Sequence, residues 1–356
     1  MSGGVDMIRL LEQQDCRYDC LSMGEIMLRL DPGDKRIRSA DRFDVYAGGG
    51  EYNVSHGLSS CFGLRTGVIT ALADNEIGKL ITSFVLRGGV DTSLIRWMDF
   101  DGIGRNVRNG LNFTEKGFGA RGALGVSDRG NTAAAGIKSG DFDFDHIFGT
   151  LKSRWFHTGG IFAALSETTS GAIIDAMAAA RTNATVVSYD LNFRPSLWRS
   201  IGGTAKAIEI NSRIVKYADV LIGNEEDYTA CLGLDIEGNE SDLTSLDPAG
   251  YRRMLSKVFE LLPNLKTAAV TLRTVKSASV NSWQAMCAVR SKDGAKDSRV
   301  ITYISKSYDD ALIYDRIGGG DSFASGFIYG LLSGRDHQTA LERSEERRVG
   351  KECRSR

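Results

Sequence analysis

The chain has 356 residues, 42% of them hydrophobic and 25% charged, with a formal net charge of −1. That suits one large globular α/β domain, alone or with a small addition, and excludes a global field for nucleic acid or anionic lipid. No apolar run reaches the ~18 residues of a membrane span. Met1 to Arg17 lacks the apolar core of a secretory signal, and six scattered cysteines make no disulfide framework, so a cytoplasmic location is expected.

In chain order, a first strand is expected over Cys20 to Leu30, and a glycine turn, Gly48-Gly49-Gly50, leads into a helix over Tyr52 to Phe62 closed by Gly63. Thr66 to Ala71 reads as the next strand and Ile77 to Arg87 as the next helix. Residues 31–45 and 95–126 are rich in Gly, Arg, Asn and Asp with short alternating runs, and read as strands leaving the main sheet to form a small β lid. A structureless stretch of ~30 residues would be uncommon inside a compact domain. Further strands are expected near Arg154 to Thr158 and over Thr185 to Asp190, Val220 to Ile222, Thr267 to Leu272 and Arg299 to Ile304. Helices are expected over Ala172 to Ala180, Ala205 to Tyr217 and Tyr251 to Leu262. Such alternation predicts a doubly wound, mostly parallel sheet with ligands at the carboxyl ends of its strands.

The most informative stretch runs from Tyr314 to Leu332. An extended approach meets Gly318-Gly319-Gly320-Asp321, and then Phe323, Phe327 and Leu331 recur every four residues, as on one face of a helix. Three glycines let backbone N–H groups at the positive end of the helix come close to an anion, such as the oxygens of a phosphoryl group in transfer. Asp321 at the helix start is either a cap or a base that takes the proton of an attacking hydroxyl. The earlier turn places Asn53, with a donor and an acceptor, on the first turn of its own helix. Two such turns near opposite ends of an α/β chain favour the base.

At these residues the chain resembles the PfkB, or ribokinase-like, carbohydrate kinases, whose two signatures are similar to Gly48 to Gly63 and Asp315 to Leu332. Within that family it resembles most the 2-keto-3-deoxygluconate kinase group, through Gly24 to Leu30, Ser127-Asp128-Arg129, Trp155 to Gly159 and Asp190 to Arg194. The resemblance implies a kinase domain over 18–341 that uses ATP and Mg2+ on a small-molecule sugar acid, with two copies pairing through the lid. It makes Asp321 the base and the amides of Gly318, Gly319 and Gly320 the anion hole. It puts Gly49, Gly50 and Asn53 against the sugar, and Arg129 and Arg194 on the substrate. A guanidinium fork matches the carboxylate of an aldonic acid, which a neutral hexose would not need. Asn224, Thr271 and Arg273 are implied at the nucleotide, with Asn224 and Asp227 organising Mg2+ through water. The alternatives are a fructokinase or 5-keto-2-deoxygluconate kinase, or a sugar-binding homologue with impaired catalysis.

Gly117-x-Gly119-x-x-Gly122 matches a dinucleotide fingerprint as a string but opens no helix, and no P-loop motif occurs. After Leu341 the apolar period stops. Residues 342–356 are read as an atypical, non-native tail, where the family normally continues with a buried helix that closes the adenine pocket. That reading carries the expectation of weaker ATP binding and lower stability.

Overall fold

The computed structural model describes residues 8–234, 248–291, 300–313 and 317–352, with the backbone alone over 347–352. The first apolar run makes two strands rather than the single one expected: β1 (Cys20–Met23) and β2 (Met27–Asp31). The break falls at Gly24, where a Cβ would stand 2.3 Å from the Glu51 carboxylate, so any larger residue here would have to displace that side chain. Next come β3 (Asp44–Gly48), helix α1 (Gly50–Phe62), β4 (Thr66–Ala73) and helix α2 (Glu76–Arg87). Gly63 ends α1 in the left-handed conformation (φ 67°), a common close for a helix.

Four short strands follow, β5 (Val90–Asp91), β6 (Ile95–Met98), β7 (Leu111–Glu115) and β8 (Leu124–Asp128). Then strands and helices alternate: β9 (Trp155–Gly159), α3 (Gly160–Ala163), α4 (Thr169–Thr182), β10 (Val186–Asp190), α5 (Pro195–Trp198), α6 (Gly203–Ile214), β11 (Val220–Asn224), α7 (Glu225–Leu232) and α8 (Pro248–Leu261). The chain continues through β12 (Thr267–Val275), β13 (Val280–Arg290), β14 (Val300–Ile304) and β15 (Tyr308–Leu312) to α9 (Gly319–Leu332) and α10 (His337–Glu352). Arg299, the expected start of β14, and Tyr314 to Arg316, expected to be extended before the glycines, lie outside the described residues, as do Cys353 to Arg356 of the tail.

The main sheet runs β5-β4-β1-β9-β10-β11-β12 in parallel, and β13 adds antiparallel to β12. From β1 the order moves outward to β4 on one side and to β9 on the other. This is the topological switch at which doubly wound sheets bind ligands. Both faces are covered, which is why β1, β4, β9 and β10 are buried at every position. Leu21 and Met23 face the core that holds Ile173 of α4, Ile210 of α6 and Leu255 of α8, whereas Cys20 faces the one that holds Val54 of α1 and Phe323 and Phe327 of α9. The expected doubly wound, mostly parallel architecture is thus present.

The small β lid is also present, as a separate sheet in the order β3-β2-β7-β8. Its strands lie beside the expected segments more than inside them. It takes β2, and residues 32–43 are mostly its connection to β3. Ile95–Met98 pairs with β4 of the main sheet. The fingerprint glycines Gly117 to Gly122 form the hairpin between β7 and β8.

The C-terminal region differs from expectation as well. The helix begun at His337 continues through Glu352, with Ser344 and Glu345 buried. Where it meets α9, Gly330 brings the two backbones together: a Cβ there would stand 2.6 Å from Ala340 Cα.

Candidate functional site

The carboxyl ends of β10, β11 and β12, the N-terminus of α9 and the inner wall of the lid enclose a cleft of about 850 Å³. All the residues singled out from the sequence line it: Asp321 with Gly318, Gly319 and Gly320; Gly49, Gly50 and Asn53; Arg129 and Arg194; and Asn224, Asp227, Thr271 and Arg273.

Gly318 takes a left-handed φ of 73° as the residue before α9, a conformation that favours glycine. The first backbone bond of the helix runs from Ser322 N to Gly318 O at 2.8 Å, which leaves the amides of Gly319, Gly320 and Asp321 without intrahelical acceptors. Gly320 is exposed, and nothing lies within 4 Å of where its Cβ would be. Asn53 Nδ2 donates to Asp321 Oδ2 at 2.7 Å, so these two residues, 268 positions apart, join the two glycine turns in one hydrogen bond. Gly49 is demanded by close approach, since a Cβ would stand 2.1 Å from the Glu25 carbonyl oxygen.

The arginines differ in their surroundings. Arg129, just past β8, donates Nε to Glu25 Oε2 at 2.8 Å, and its Nη2 donates to the same oxygen. Arg194 donates Nη1 to the Phe193 carbonyl at 2.8 Å and, among the described residues, forms no salt bridge. At the far end, Arg273 lies over the ring of Trp283, 5.8 Å from its centroid. Thr271 is paired in register with Asn224 across β12 and β11.

Asn224 and Asp227 close a capping box on α7. Asn224 Oδ1 accepts from Asp227 N at 2.9 Å, and Asp227 Oδ2 accepts from Asn224 N at 2.8 Å. Asp227 Oδ1 accepts from Phe193 N at 2.8 Å, so both of its oxygens already hold backbone donors. Burial nevertheless pushes its carboxyl above the usual range. Asp190 is driven well up, first by burial and then by Asp227 and Asp321. Glu51, on the first turn of α1, is pushed up to about 7 by burial, with Asp321 adding to the rise.

Reading the sequence misses several residues of the cleft. Arg29, Asn112 and Ser127 line it from the lid. Asn192 also faces it, and its left-handed φ of 33° is unusual for a residue other than glycine. Only the Arg194 of the string Asp190 to Arg194 is singled out beforehand, although Asp190 and Asn192 reach the cleft too. Glu25, which holds Arg129, lies within the string Gly24 to Leu30, but nothing in that string marks its partner.

A doubly wound sheet with a β lid over a cleft and a glycine turn at its mouth is the architecture of a small-molecule kinase, and comparison with known proteins gives the family. A profile of pfkB family carbohydrate kinases matches residues 151–346. The structure of a 2-dehydro-3-deoxygluconokinase from Thermotoga maritima superposes with a TM-score of 0.82 at 34% identity, covering 94% of this chain and 93% of that one. The chain belongs to the pfkB family of carbohydrate kinases. It is 26% identical over 324 residues to a 2-dehydro-3-deoxygalactonokinase of Haloferax volcanii, covering 91% of this chain and 87% of the relative. It is also 26% identical over 331 residues to a 5-dehydro-2-deoxygluconokinase of Bacillus licheniformis, covering 92% and 88%. No helix among the described residues is long and apolar enough to cross a membrane.

Proposed function

We propose that this carbohydrate kinase transfers the γ-phosphoryl group of ATP to the terminal hydroxyl of a keto-deoxy sugar acid, with 2-keto-3-deoxygluconate as the preferred acceptor. The observation that carries this reading is one cleft that holds a carboxylate anchored beside a glycine turn together with two arginines, Arg129 and Arg194. Asp321 takes the proton of the acceptor hydroxyl, and Asn53 holds the carboxylate in place for it. The amides after Gly318, which have no intrahelical acceptor, face the oxygens on which charge builds up. Gly49 and Gly50 leave room for the sugar, while Arg129 and Arg194 take its carboxylate. Asn224, Thr271 and Arg273 form the nucleotide wall.

Among the described residues no group of three or more acidic, histidine or cysteine side chains is placed to hold a metal ion. Asp227 has both oxygens on backbone amides, so it and Asn224 fit Mg2+ only through water, which suits an ion that keeps several waters and comes with the nucleotide. Mg–ATP, when bound, supplies the phosphoryl group and neutralises its charge.

The two named relatives that act on other keto-deoxy acids favour 5-keto-2-deoxygluconate or 2-keto-3-deoxygalactonate as second acceptors. A coupled ATP-consumption assay over these three acids and fructose decides the matter. Turnover should be highest on a keto-deoxy acid; a kcat/KM for fructose equal to or above that for every acid would overturn the assignment.

A further inference from the structure

Glu25 sits in the three-residue joint between β1 of the main sheet and β2 of the lid, and its side chain is 2% exposed. Oε2 receives both Nε and Nη2 of Arg129, while Oε1 receives the Thr132 hydroxyl at 2.6 Å. Its backbone is held as firmly, because the carbonyl presses on Gly49, where no Cβ would fit. A missing side chain at Gly110 makes room for the carboxylate, since a Cβ there would stand 3.1 Å from Oε1.

A guanidinium has two edges that can each grip a carboxylate. In Arg129 the Nε–Nη2 edge is taken by Glu25, and among the described residues Nη1 makes no hydrogen bond. The side chain nevertheless lines the cleft. A buried ion pair is a weak source of stability, because desolvation of both charges offsets their attraction. What this one does supply is a fixed plane for the other edge.

We propose that Glu25 is a positioning residue for substrate selection: it grips the inner edge of Arg129 so that the outer edge meets the carboxylate of the sugar acid. This inference rests on the proposed function. It divides the work between the two arginines. The Glu25–Arg129 pair carries no net charge and contributes donors in a set orientation, whereas Arg194 contributes the charge.

The test is steady-state kinetics of Glu25→Gln and Glu25→Asp on 2-keto-3-deoxygluconate, with melting temperatures alongside. Glu25→Gln should raise KM for the sugar acid about tenfold, the worth of one misaligned charge-assisted bond, with kcat and KM for ATP within about twofold of wild type. Glu25→Asp, which keeps the charge, should recover part of the loss. If Glu25→Gln does not fold, Thr132→Val releases Oε1 alone and should raise the same KM in the same way. An unchanged KM for the acid, or equal rises for acid and ATP, overturns the positioning role while leaving the kinase assignment intact. A wild-type chain that turns over no keto-deoxy acid overturns the functional reading, and this inference with it.

Discussion

Asp321→Asn is the sharpest perturbation available at the site. The amide has nearly the shape of the carboxylate and keeps an oxygen for the Asn53 donor at 2.7 Å, so the hydrogen bond between the glycine turns survives. The helix loses only the favourable term of a negative charge in its first turn, about 0.3–1 kcal/mol. In a chain of this size that lowers the melting temperature by about 4 °C at most. What disappears is the capacity to take a proton. General-base catalysis contributes about 10²–10⁴-fold, equivalent to roughly 3–5 kcal/mol. Asp321 is only half-buried, so water can partly stand in for it, and the expected fall in kcat lies in the lower half of that range, about 10²–10³-fold. The assay is coupled ATP consumption at saturating nucleotide with the sugar acid varied. KM for the acid should stay within about threefold of wild type, because no carboxylate-binding group is touched. A variant that retains more than about a tenth of wild-type kcat would refute Asp321 as the base, since no general base is worth so little.

Asn53→Ala removes a hydrogen bond to a charged group, worth roughly 1.5–3 kcal/mol, and should lower kcat/KM by about 10- to 100-fold; an unchanged value would show that Asn53 does not hold the base. Glu51 gives a pH prediction. Its folded pKa of about 7 lies above the 4.5 of an exposed glutamate, so the folded state keeps a proton that the unfolded chain has lost, and the group costs stability as pH rises from about 4.5 to about 7. Over that window the full shift amounts to about 3 kcal/mol, so Glu51→Gln should gain stability on wild type between pH 5 and 8; parallel melting curves at the two pH values would contradict the assignment. Gly49→Ala should cost about 1–3 kcal/mol through its clash with the Glu25 carbonyl, seen as a melting temperature lower by about 2–10 °C. Gly320→Ala, which meets open space, should melt no lower than wild type.

The parts of this molecule that can be read from its sequence are those whose signal is local. α1 and α9 are legible because a glycine run abuts an apolar period of four, and the parallel strands because both faces bury apolar side chains. β13 escapes because its turn from β12, Lys276 to Ser279, holds none of the Gly, Pro, Asn or Asp that marks a hairpin, and Asn281, Ser282 and Gln284 interrupt its apolar residues. The division of the first strand escapes because its cause, the Glu51 carboxylate packed on Gly24, belongs to another element. α10 runs past Leu341, where its apolar pattern ends, and its close contact with α9 at Gly330 and Ala340 is made by small residues, which leave no amphipathic trace. The same distinction governs the site. Asp321 and Asn53 announce themselves beside their glycines, whereas Glu25 and Arg129 are 104 positions apart and are joined only by the fold.

The separate four-stranded sheet has a consequence for how such a protein can diversify. It meets the cleft with Arg29 from β2, Asn112 from β7 and Ser127 from β8, while the glycine turn before α9 and the capped start of α7 belong to the other body of structure. On the proposed reading, acceptor choice and phosphoryl transfer are therefore inherited as separate modules. Exchanging side chains on the inner face of three short strands redirects the enzyme to another sugar without disturbing the machinery that spends the nucleotide.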